Sequence, residues 1–99
     1  MGTIRETKEY QGITADDAYK IAEKALEETG LEIWKRRPLG WLIMADYADA
    51  SGTIKGNVAC RPGADTSITF TLDSDDHEES VMSTLVKKFF EVIDQKQEN

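Results

Sequence analysis

The sequence predicts an α+β domain: a two-layer sandwich in which an antiparallel meander of four to five strands carries two helices on one face. Three observations point there. Apolar residues recur at helical spacing before Gly30 and again after Asp73, while between them the period falls to two. Short reversals at 38–40, 48–52 and 61–65 divide that middle stretch into consecutive strands. The 99 residues, 39% hydrophobic and 31% charged, form a single domain over 1–99, with no room for a second.

Residues 3–10 are extended-compatible but offer only Ile4 and Tyr10 as sizeable apolar side chains, which suits a short edge strand and leaves open whether it joins this sheet. Thr14 is a good N-cap with Asp16 and Asp17 in the first turn, and Ala18, Ile21, Ala22, Ala25 and Leu26 then form one stripe. Gly30 stands where a left-handed residue ends a helix, giving a helix over 15–29. Strands follow from Leu31 to Arg37, Trp41 to Tyr47, Thr53 to Cys60 and Ser67 to Leu72. In the last of these, Ile68, Phe70 and Leu72 alternate with Ser67, Thr69 and Thr71, as in a sheet covered on one side only. Val81, Met82, Leu85, Val86, Phe89, Phe90 and Ile93 return to helical spacing and predict a second helix over about 76–96, with 95–99 fraying. By element order alone, β-α-β-β-β-β-α resembles the helix-grip arrangement, in which a long C-terminal helix closes a curved antiparallel sheet over an apolar cavity. That resemblance implies a small-ligand or lipid site beneath the second helix, lined by Ile54, Val58, Phe70, Leu85 and Phe89.

Composition excludes several function classes. Twelve basic against nineteen acidic residues give a net charge of −7, which opposes a nonspecific hold on nucleic-acid phosphates. No apolar run approaches the roughly 18 residues of a membrane span, and the first residues lack a signal peptide's apolar stretch, so no membrane association and a cytoplasmic location are expected. One Cys and one His argue against structural zinc, and no cofactor is implied.

Candidate sites are few. Five acids fall between Asp73 and Glu79, leaving only −2 on the rest of the chain, and their simplest role is to cap the second helix through Ser74 or Asp75, with His77 exposed. The spacing lacks a calcium loop's glycine and distal glutamate. Cys60 and His77 form no promising catalytic couple, since burial disfavours a thiolate and the acids favour a protonated ring. No catalytic residue is therefore assigned; any activity would fall first to His77 and Arg36 or Arg37. Lys35, Arg36 and Arg37 form the one basic cluster and, beside Trp34 and Trp41, could clamp an anion. The simpler expectation is a wet hairpin tip in which the two tryptophans pair across the turn. Strand 41–47 is apolar on both faces, with Trp41, Ile43, Ala45 and Tyr47 on one and Leu42 and Met44 on the other. In a sheet covered on one side, Leu42 and Met44 would be exposed. The leading expectation is a binding module that self-associates or takes a protein partner there; the alternative is the ligand site beneath the second helix, whose contacts would include Phe70 and Phe89.

Overall fold

The computed structural model describes residues 2–97 of the chain. Its elements are β1 (Gly2–Tyr10), α1 (Ala15–Thr29), β2 (Glu32–Arg37), a 3-10 turn (Pro38–Gly40), β3 (Leu42–Asp49), β4 (Gly52–Arg61), β5 (Thr66–Ser74) and α2 (Glu79–Gln97). All five strands form one antiparallel sheet in the order β1-β5-β4-β3-β2. From β2 to β5 the chain is a meander, and β1 closes the far edge beside β5. The two-layer α+β prediction therefore holds, with five strands.

That order makes α1 a crossover between the two edges. Four inter-strand gaps of about 4.8 Å separate β1 from β2, and fifteen residues at about 1.5 Å each span a comparable length. Its N-terminus is fixed by Thr14, whose hydroxyl accepts the Asp17 N–H at 3.1 Å, and its C-terminus by Gly30 at φ 98°, whose N–H reaches Glu27 O. Ala18, Ala22, Ala25 and Leu26 face inward with no exposure.

The covered sheet face presents Ile43, Ala45, Ile54, Val58, Ile68, Phe70 and Leu72, none of them exposed, against both helices. Small alanines on α1 let that helix approach closely, and Met82, Phe89, Phe90 and Ile93 of α2 fill the remaining space. Gly56 belongs to this packing: a Cβ there would lie 3.0 Å from both the Ala45 carbonyl oxygen and Leu72 Cδ2.

Two boundaries differ from the sequence expectation. β1 is no fragment: nine residues pair with β5 in continuous register from Gly2 opposite Ser74 to Tyr10 opposite Thr66. α2 starts at Glu79 rather than near 76, because Asp73 and Ser74 extend β5, and Glu78 supplies the first carbonyl, accepting the N–H of Val81 and Met82. Ser74 caps no helix; its Oγ accepts the Asp76 N–H within the connecting turn. At the other end α2 runs helical through Gln97, where Lys96 pairs with Glu28 of α1 at 2.8 Å, and positions 98–99 lie outside the described residues. Among the described residues no helix is long and apolar enough to cross a membrane.

Gly56→Ala should overpack the join between β3, β5 and Leu31. Chemical denaturation should show a loss of about 1–3 kcal/mol, whereas unchanged stability would mean that Leu72 and Leu31 can step aside.

Candidate functional site

Strand alternation leaves the second sheet face uncovered, and the pairing registers lay its side chains out in rows. One row runs Thr7, Thr69, Ala59, Leu42 and Arg37; the next runs Arg5, Thr71, Asn57, Met44 and Lys35. On the β1–β5 side the face is polar, held by hydroxyl contacts such as Thr7 to Thr69 at 2.8 Å and Thr3 to Asp73 at 2.8 Å. On the β2–β3 side it turns apolar. Leu42 and Met44 are half-buried rather than exposed, flanked in their rows by Ala59 and Arg37 and by Asn57 and Lys35. Beside them Trp34 remains 59% exposed, and Leu39 in the turn is 98% exposed. Arg37, Pro38, Leu39, Gly40 and Leu42 line a shallow depression at this corner.

The tryptophans do not pair across the turn. A β-bulge between Ile33 and Lys35 makes Trp34 the extra residue of its strand, and its indole N–H donates to Asp46 on the uncovered face at 3.2 Å. Trp41 instead takes a left-handed backbone (φ 50°) after the 3-10 turn, packs against the core and donates to Asp16 of α1 at 2.9 Å. The two rings thus serve opposite sides of the sheet.

Strand alternation divides the basic cluster as well. Arg36 turns to the helical side and pairs with Glu23 of α1, while Lys35 and Arg37 stand on the uncovered face. A single clamp made of Arg36 and Arg37 is therefore not assembled. Phe70 and Phe89, the other sequence-derived ligand candidates, lie in the core with ring centroids 4.3 Å apart and no exposure. Side chain, rather than an open pocket, fills the layer between α2 and the sheet at this point.

His77 is not exposed: its side chain is 2% accessible and lies between the β3–β4 and β5–α2 connections. Nδ1 is 3.0 Å from Ser74 Oγ, and Nε2 is 2.9 Å from Asp49 Oδ1. Sequence reasoning missed this Ser74–His77–Asp49 chain, because Asp49 lies 28 residues away and nothing local signals the contact. It carries a serine triad's residue types with the ring reversed, since the triad's Nε2 faces serine. Ser74 is 4% exposed, and its hydroxyl accepts the Asp76 N–H while donating to Thr53 O at 3.1 Å. The Asp49 carboxylate can only accept, so Nε2 donates to it. The arrangement clamps two turns together and offers no free nucleophile.

Asp49 responds to that clamp. Its carboxyl is held below the ordinary value of 3.8, first by the hydrogen bond from His77 and next by the Ser51 N–H. Cys60, at the opposite end of the sheet and 2% exposed, has its thiol pushed up to about 12 by burial alone. The two residues weighed as a catalytic couple are thus far apart.

Fold and surface define a class: a one-sided α+β sandwich whose outer sheet face is not packed by helices among the described residues. No family model and no curated protein matches the chain. It is similar in structure to TTHA0849 from Thermus thermophilus, whose crystal structure superposes over 95% of both chains with a TM-score of 0.66 at 11% identity. At that identity the likeness establishes the fold alone.

The Asp49 clamp and the buried Cys60 thiol can be probed directly. Because the folded value for Asp49 is depressed, its stabilising contribution is present above pH 3.8 and lost as the pH falls through that lower value. Thermal melts across this window should show a smaller acid-induced drop in Tm for Asp49→Asn; identical pH profiles would show the clamp to be energetically silent. Cys60 should resist iodoacetamide in the native protein and react at least about tenfold faster in denaturing urea, with equal rates contradicting its burial.

Proposed function

We propose that the protein is a binding module whose outer sheet face, around Leu42 and Met44, is the surface that self-associates or receives a protein partner. The observation that supports this reading is the corner where exposed Trp34 and Leu39 flank half-buried Leu42 and Met44 on an uncovered face. Contiguous apolar side chains in contact with water favour a second surface that removes them from it. Trp34 adds an amphipathic ring of the kind enriched at interface centres, and Lys35 and Arg37 supply a charged rim. No catalytic step enters the reading.

Leu42→Lys combined with Met44→Lys places two ammonium groups within this corner while leaving the core face of β3 intact. Light scattering should report a smaller species for the double variant than for the parent chain, with unchanged circular dichroism. Equal masses for the two folded proteins would remove self-association through the outer face.

A further inference from the structure

The strongest unassigned surface is the free edge of β1. Among the described residues this strand has one neighbour, β5, so along its other side alternate residues of the nine present unpaired backbone N–H and C=O groups. Edges are ordinarily protected by charge, and Arg5, Glu6, Lys8 and Glu9 are all exposed here. Their signs do not repel every partner, however, because they are arranged in a pattern that is complementary to itself.

Consider a second copy adding antiparallel to this edge through a two-fold axis perpendicular to the sheet. Residues of like parity then face each other, and both pairs of helices stay on one side. Centring the axis on Arg5, Glu6 or Lys8 sets a charge against its own copy. Centring it on Thr7 sets Glu6 opposite Lys8 and Arg5 opposite Glu9, each twice, with no like charges opposed. The same register brings Ile4 against Tyr10 on the helical side, and both side chains are left half-buried at the rim of the core. We infer that β1 is a dimerisation edge at which a second copy of this chain pairs antiparallel about Thr7, joining two five-stranded sheets into one of ten strands.

Existing contacts accommodate this pairing. Lys8 makes an exposed 3.5 Å pair with Asp94 and lies over Phe90, so its ammonium can be shared with Glu6 of the other copy. Arg5 uses Nε toward Thr71 at 3.4 Å and keeps its terminal nitrogens for Glu9 of the other copy. This surface is separate from the corner at Leu42 and Met44, which lies at the opposite side of the sheet.

The register makes the test specific. Antiparallel partners sit about 4.5–5.5 Å apart at Cα, within disulfide range, so Thr7→Cys faces its own copy across the axis while Glu9→Cys faces Arg5. Under mild oxidation Thr7→Cys should give a covalent dimer, and Glu9→Cys and the parent chain, whose Cys60 is buried, should not. Sedimentation should show loss of the dimer for Glu6→Lys and for Lys8→Glu alone, and its return when the two folded variants are mixed. Thr7→Cys should still cross-link in the Leu42→Lys, Met44→Lys background, which separates this edge from the outer-face reading. A parent chain that stays monomeric, equal cross-linking of the two cysteine variants, or a mixture that stays monomeric would each overturn the inference.

Discussion

Everything in this structure depends on a sheet that is covered on one face only. Ile68, Phe70 and Leu72 can reach water-free surroundings only if helices lie on their side, and Thr69 and Thr71 can stay hydrated only if none lies on the other. With β1 and β2 at opposite edges, α1 must cross the covered face, and α2 completes the layer along β1 and β5. The small side chains of Ala15, Ala18, Ala22, Ala25 and Ala45, all buried, set how closely helix and sheet approach. The larger Phe70, Phe89 and Phe90 then fill what remains, as a ring cluster with centroids 4.3 and 5.1 Å apart. Side chain therefore occupies the layer where the helix-grip element order would suggest a ligand space.

Two of the surfaces left open among the described residues carry patterns suited to a partner. One is the apolar corner of the outer face; the other is the backbone edge of β1. A net charge of −7 keeps the chain as a whole repulsive toward its copies, so association must be directed by local patterns rather than by general stickiness. The outer-face rows, with Arg5, Lys35, Lys55, Arg37 and Arg61 against fewer acids, and the self-complementary signs along β1 supply such patterns.

Most of the architecture was legible because it is periodic. α1 carries its cap, its stripe and its terminating glycine within a short stretch, so local sequence defines it at both ends. β1 carries almost no local signal, since Ile4 and Tyr10 alone are apolar, and its length comes from the nine-residue partner strand that it meets. The start of α2 was obscured because five clustered acids look alike in sequence but stand in different structures. Asp73 continues a strand, Glu79 opens the helix, and Asp76 sits against Gly52, whose φ of 138° is a conformation that side-chain-bearing residues rarely adopt. Within the candidate site, the placement of Leu42 and Met44 followed from simple alternation. The bulge at Trp34, the left-handed turn at Trp41 and the burial of His77 did not, because each depends on contacts between segments apart in the chain.

The central proposal is that surfaces this sheet leaves open, the outer-face corner and the β1 edge, bring the chain together with a second copy. Native mass spectrometry of protein purified without detergent tests it most directly, since one spectrum reports subunit count and any retained molecule. Assembly through these surfaces predicts a species near twice the 11.1 kDa chain mass, about 22 kDa, in the concentrated sample. A chain that remains a bare 11.1 kDa monomer at every concentration would contradict it.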